Sequence, residues 1–492
     1  MGKLFFWLFL KTLFLLWVMG GLGFGLGPDE AQYWTWSRAL DWAYYSKPPA
    51  IAWQIWLSTY FLGQNEIGVR FFSLLIGIFQ SLALYRLALA AGLSSLTGFW
   101  CGMVMAFSPM GMIGSMLAIT DGGFLLFWTC ACIEVCSALN QQRTPSPIRL
   151  GSWICAAALF KWPAFFFWPL LFCFRPHDFK PLIKGVALSA LALLPSVWWN
   201  ISHDWATFRH VSATLQGGHG LQGGNFFSFL GAQFLLLSPV LFTLLLLAYR
   251  RLLAWKELPP PLLFAGLSSL ICLAVGLFLA CFQKIQGNWV IFAYPTAILF
   301  LVWYVMQEIP KRLIWLKWGT LSSIFLSVFI LVVPFVFPLP YHLHPFKQNV
   351  GWLHLEAGLK AAGYDPAQHF LVSDTYQTSS LLSFYGPQQK RAYFLNLQGV
   401  RNNQFSYWPG LEKEQLGKDG YFVWVERTEP GNSSHVEKRK AVYTEQLRPH
   451  FEKVAFAGDI LLGDRDQAGA KRAFLFKCEK CLSYKIEASS LY

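Results

Sequence analysis

Long apolar stretches separated by short polar ones dominate the first two thirds of the chain. Runs of spanning length occupy residues 4–24, 67–91, 94–112, 115–139, 181–199, 226–249, 261–282, 286–306 and 313–337. Helices of that length cross the ~30 Å hydrocarbon core of a bilayer. The stretch 148–174 is too long for one helix and carries Lys161 and Pro163 at its middle. It predicts two short helices meeting at a membrane surface, because proline cannot continue a helix. The first run is longer than a secretory apolar core and ends in a poor cleavage sequence, so it is expected to stay as a helix.

Basic clusters orient these spans. Splitting 148–174 and starting the chain in the cytoplasm puts Arg143 and Arg149, then Arg175, Lys180 and Lys184, then Arg250, Arg251 and Lys256, then Lys311, Arg312 and Lys317 on one side. That is the positive-inside pattern, and it gives about eleven transmembrane helices with the amino terminus cytoplasmic. The same assignment gathers Asp29, Glu30, Lys47, Asp121, Lys161, His203, Asp204, Lys284 and Asn288 near the outer surface, although none of them was used to choose it.

With 492 residues, of which 55% are hydrophobic and only 13% charged, the chain is an integral membrane protein. Its formal charge of +13 then reflects mainly cytoplasmic loops, and no nucleic-acid partner is expected. Eight of the ten cysteines lie in apolar segments, where the thiol behaves as a small hydrophobe. After about residue 339 charges become frequent, and short β-rich runs at 369–374, 421–426 and 473–477 alternate with polar or helical stretches. The expected architecture is a polytopic α-helical membrane domain, 1–338, with a first outer loop at 27–50, followed by an extracytoplasmic α/β domain, 339–492.

The outer loop PDEAQYWTWSRALDWAYYSKPP carries the sharpest chemistry. Asp29 after Pro28 serves equally well as a helix N-cap or as a catalytic carboxylate, and Glu30 reads as a support for the loop. Asp121, in a Thr-Asp-Gly-Gly sequence at the end of a span, is an ionisable group where such groups are usually functional or paired. Lys47, held by Pro48 and Pro49, and Lys161, among aromatic residues, are point charges suited to a phosphate or pyrophosphate. The loop 200–220 adds His203, Asp204, Arg209, His210 and His219 in no recognised metal spacing; no cofactor is indicated with certainty, and a divalent metal stays open. Cys478 and Cys481 form a lone CxxC that allows a local disulfide outside the cytoplasm.

Taken together, the acid pair after the first helix, the Lys-Pro-Pro at 47–49, Thr-Asp at 120–121, Lys161 with Pro169, WWNISHDW at 198–205 and GNW at 287–289 resemble the GT-C polyprenyl-phosphate-sugar glycosyltransferases. The similarity is to the aminoarabinose-transferase and protein-mannosyltransferase-like group. It implies an inverting transferase in the bacterial inner membrane, moving a sugar from a polyprenyl-phosphate carrier to lipid A, another envelope glycan or a protein at the outer face. On that resemblance Asp29 and Asp121 match the family's acids, and Lys47 and Lys161 the donor-phosphate lysines. His203, Asp204 and Asn288 are expected as supporting residues. Gln32 stands where aminoarabinose transferases usually carry arginine, and Ser46 where an acid is common. The competing reading is a transporter or flippase for the lipid-linked sugar; that class expects polar groups at the bilayer midplane and matching broken helices in two repeats.

Overall fold

The computed structural model describes the chain except for residues 216–222, 310, 338, 340–342, 398, 400–401, 429–432, 463–469 and 484–492. Each predicted span has a helix or a bent helix pair beneath it. Gly2–Gly21 (α1), Glu66–Ala90, Thr120–Asn140, Pro260–Phe282, Gly287–Glu308 and Arg312–Val336 are long and apolar enough to cross a membrane alone. Ser95–Phe107 with Pro109–Met116, Pro176–Ala190 with Leu193–Ser202, and Phe226–Leu237 with Pro239–Glu257 do so as pairs bent by 60°, 44° and 102°. The outer loop contains the helix Pro28–Ser37 (α2) and is followed by Ala50–Leu62 (α3), an apolar helix of 13 residues that is too short for the span pattern to reveal. The long helix after it, Glu66–Ala90, is α4.

The bends have local causes. Between Ser95–Phe107 (α5) and Pro109–Met116 (α6), the Ser108 hydroxyl accepts the Gly111 N–H while Pro109 opens the new helix. After Thr120–Asn140 (α7), the helix Pro147–Phe160 (α8) ends at Lys161, whose backbone is extended, and Pro163 starts the next turn. The predicted break at Lys161 is therefore where the chain turns. Lys11 lies buried within α1 and donates to the Gly111 carbonyl (3.0 Å) and the Ser115 hydroxyl (2.7 Å) of α6, which satisfies an ammonium that the bilayer would otherwise leave bare.

The C-terminal region builds a five-stranded mixed sheet in the order β2-β1-β3-β5-β4. Its strands are His369–Ser373 (β1), Tyr393–Phe394 (β2), Asp419–Thr428 (β3), Phe451–Leu462 (β4) and Ala470–Cys481 (β5). β1 runs parallel to β2 and β3, while β5 is antiparallel to both β3 and β4. The three predicted runs are β1 and the centres of β3 and β5. β4 escaped because its outward positions keep it from reading as a continuous apolar run. Cys478 and Cys481, whose spacing allows a local disulfide, are both free and are buried in the same core cluster.

This domain packs directly on α2. Trp34, Trp36 and Leu26 share a buried core with Leu382, Phe384 and Tyr421, and the Trp34 ring meets Phe384 edge-on at 5.0 Å. The Tyr385 hydroxyl accepts the Leu26 N–H (2.6 Å) and donates to Glu66 (3.0 Å). Gly25 must be glycine, because a Cβ there would overlap the Asn349 carbonyl and the Tyr385 hydroxyl. The sheet domain thus forms one wall around the first loop.

Candidate functional site

Three segments far apart in sequence converge on Asp121, in the first turn of α7. Lys161 Nζ lies 2.6 Å from Asp121 Oδ1, and the Asn288 side-chain amide donates to Oδ2 at 2.9 Å. The approach of Lys161 depends on Gly123: a Cβ at that position would lie 2.5 Å from the Phe160 ring, the residue immediately before Lys161. Small size on α7 therefore lets α8 come close enough to deliver the cation. Asn288 is held from the other side, since Gln233 donates to the Gly287 carbonyl (3.0 Å) while accepting the Tyr294 hydroxyl (2.8 Å). Asn225 adds a reciprocal pair of hydrogen bonds with the backbone of Ile285.

The two acids of the first loop play different parts. Gly27, not Asp29, is the N-cap of α2, and Asp29 stands exposed in the first turn. Glu30 is buried and forms a two-point ion pair with Arg70 of α4, at 2.8 and 2.7 Å. It also accepts the backbone N–H groups of Gly27 and of Ala118, both at 2.9 Å. Ala118 precedes Asp121 by three residues, so this one carboxylate ties the start of α2 to the start of α7. Arg70 completes the knot by donating to the carbonyls of Phe24 and Gly25. Tyr33 of α2 feels both Asp29 and Asp121; burial first, and then those two negative charges, hold its phenol well above the ordinary tyrosine range, so it stays a neutral donor.

Asp121 and Asn288 stand in the wall of a cavity of about 370 Å³. The rest of that wall is almost wholly apolar, with Ile76, Met110, Leu125, Leu236 and Ile291 among its residues. One charged corner in a hydrocarbon-lined chamber accommodates an amphiphile whose polar head sits at Asp121 and whose tail runs along the helices.

None of the remaining described candidates contacts Asp121. Lys47 is half-buried and closes a tight turn with Tyr44, each backbone bonded to the other, before Pro48 and Pro49 lead into α3. His203 stacks on Trp199 at 3.9 Å with its Nδ1 against the Trp199 carbonyl, and Asp204 forms an exposed ion pair with Arg209. His203 thus joins the contact among Trp199, Tyr45 and Tyr407, and neither residue touches Asp121. His219 lies outside the described residues. Among the described residues no group of three His, Cys, Asp or Glu is arranged to hold a metal ion.

Sequence reasoning missed Arg70, Tyr33 and Gln233. Arg70 had a signal, an arginine near the start of an apolar span; Tyr33 and Gln233 had none, because aromatic and amide residues are common in such segments.

A model of the dolichyl-phosphate-mannose-protein mannosyltransferase family matches residues 46–199. A lipid A galacturonosyltransferase of Rhizobium johnstonii is 31% identical over 296 residues, 58% of this chain and 62% of that protein's length. The crystal structure of ArnT from Cupriavidus metallidurans bound to undecaprenyl phosphate superposes with a TM-score of 0.61 at 15% identity, covering 95% of this chain and 98% of that one. Its apo form gives 0.59 at 14% identity, with 95% and 97% covered. The fold is therefore of the GT-C type, as the motifs implied, and the resemblance to the aminoarabinose-transferase and protein-mannosyltransferase-like group is borne out.

Proposed function

We propose that this protein is a glycosyltransferase that moves a sugar from a polyprenyl-phosphate carrier to an envelope glycolipid of the lipid A class. The observation that carries this reading is the charged corner that Asp121, ion-paired to Lys161, and Asn288 present to an otherwise apolar chamber between helices. A polyprenyl phosphate has that same division between head and tail. The galacturonosyltransferase relative favours a hexuronic acid as the sugar, and the absence of an arginine at Gln32 agrees with a donor other than aminoarabinose. In this reading the enzyme lies in the bacterial inner membrane with its amino terminus cytoplasmic and its sheet domain periplasmic, an orientation that the basic clusters support.

The chemistry asks for few groups. As the glycosidic bond to the carrier breaks, the electron pair and the growing charge pass to the lipid phosphate, and Lys161 and Lys47 stabilise that leaving group. Asp29, exposed at the start of α2, takes the proton of an acceptor hydroxyl as its oxygen bonds to the anomeric carbon. An acceptor phosphate arrives already anionic, and the acid then orients it. One displacement without a covalent intermediate inverts the anomeric centre. Asp121 holds Lys161 and Asn288 in register.

The test is transfer by the purified protein in nanodiscs, supplied with lipid A and with polyprenyl-phosphate galacturonic acid, aminoarabinose or mannose in separate reactions. Mass spectrometry reads the product. A gain of a hexuronic acid mass on lipid A supports the reading; no product from any donor, with folded protein, overturns it. Gain from another donor only corrects the sugar.

A further inference from the structure

A second cavity, of about 500 Å³, lies where α2 meets the sheet domain. It shares no residue with the Asp121 chamber. Its wall holds three cations, Arg38, Lys390 and Arg391, beside Trp34 and Trp408, and none of its described lining residues is acidic. Two of them stay close to aromatic faces: Arg391 lies 5.2 Å from the Trp408 ring and 5.1 Å from Tyr393, and Arg38 lies 5.8 Å from Trp34, while Lys390 donates to the Pro366 carbonyl.

Arg391 is fixed in place and incompletely satisfied. One of its terminal nitrogens donates to the Pro409 carbonyl (2.6 Å), and the other is 3.6 Å from Glu414. Its Nε is shielded from solvent and has no hydrogen-bond partner among the described residues. Such a group costs stability unless something pairs with it. Gln388 and Gln389 precede the basic pair with φ of 60° and 48°, a conformation that residues with side chains seldom adopt and that concentrates at ligand-holding turns. Thr35 and both glutamines add neutral hydrogen-bonding groups to the same wall.

Cations fixed beside indole faces, with amides and a hydroxyl between them, match a sugar that carries acidic groups. Ring C–H faces pack on tryptophan, and phosphate or carboxylate pairs with the guanidinium and ammonium groups. We propose that this cavity is a second, non-catalytic binding site for an acidic saccharide, using Arg38, Lys390 and Arg391 for its phosphate or carboxylate groups and Trp34 and Trp408 for its rings. That the saccharide is the headgroup of the acceptor rests on the function proposed above. Binding at the site does not.

The test is equilibrium binding to the full-length protein in nanodiscs, with three probes: the glucosamine disaccharide 1,4′-bisphosphate, the same disaccharide without phosphates, and inorganic phosphate. A galacturonic acid oligosaccharide separates carboxylate from phosphate recognition. The bisphosphate is expected to bind about ten-fold or more tightly than the neutral sugar, for the loss of at least one charge-assisted contact. Arg38→Gln with Lys390→Gln, both at exposed positions, should weaken it by a similar factor without changing the melting temperature. Asp121→Asn should leave this affinity unchanged, which keeps the result independent of transfer. Equal binding of the charged and neutral sugars, equal binding by the double variant, or full competition by inorganic phosphate at matched concentration would each overturn the proposal.

Discussion

Asp121 and Lys161 stand forty residues apart in sequence and 2.6 Å apart in space, with the Asn288 amide on the carboxylate's other oxygen. The pair joins the start of α7 to the end of α8, at the polar corner of the apolar chamber. Its geometry makes the acid and the cation one unit. Removing either releases the other.

Asp121→Asn keeps the shape and loses the charge that fixes Lys161. Transfer should fall about 10²–10³-fold, the usual loss when a preorganised electrostatic group is removed. Lys161→Met should cause a comparable fall, and the double variant should cost far less than the product of the two. Initial rates of sugar transfer in nanodiscs check this; strictly multiplicative losses would show that the residues act separately.

The buried Glu30–Arg70 pair has a different role, and its loss should appear in stability. Glu30→Ala leaves Arg70 charged and unpaired, with the Ala118 and Gly27 N–H groups also orphaned. Breaking such a pair costs about 3–5 kcal/mol. A clear drop in the melting temperature of the solubilised protein is expected, with a smaller drop for Glu30→Gln, which keeps part of the hydrogen bonding.

Gly123→Ala tests the close approach of α7 and α8. The added methyl meets the Phe160 ring, and overpacking of this kind costs about 1–3 kcal/mol. Because Lys161 follows Phe160, transfer should fall further than stability alone explains. Phe160→Leu added to Gly123→Ala should restore part of both, as read by the melting temperature and the initial rate together.

Lys471 gives the sheet domain a pH dependence. It is buried beneath the segment before Trp352, donates to the Val350 carbonyl at 2.8 Å and lies 4.6 Å from the Trp352 ring. The carbonyls and the ring face favour the ammonium, but burial outweighs them and lowers its pKa from 10.5 to about 7. Between those values the unfolded chain holds a proton that the folded chain does not. Stability therefore rises as pH climbs from 7 towards 10.5, and that gain is lost as pH falls through 7. Melting temperatures across that range should rise in the wild type and be flatter in Lys471→Met; parallel slopes would remove Lys471 as the cause.

The chain's own pattern was enough to fix the helical membrane domain, the break at Lys161, the sheet-bearing carboxyl-terminal region, and Asp121, Lys161 and Asn288 as candidates. Hydrophobic periodicity and the cost of charge in a bilayer are local properties, readable one segment at a time. Tertiary structure alone decided which candidates meet. It joined Asp121 to Lys161 and Asn288, gave Glu30 to Arg70, paired His203 with Trp199 and Asp204 with Arg209, and brought Arg38 and Arg391 to one cavity. Those outcomes depend on which helices come close and on small residues such as Gly123 that permit it, and close approach between distant segments leaves no period in a sequence.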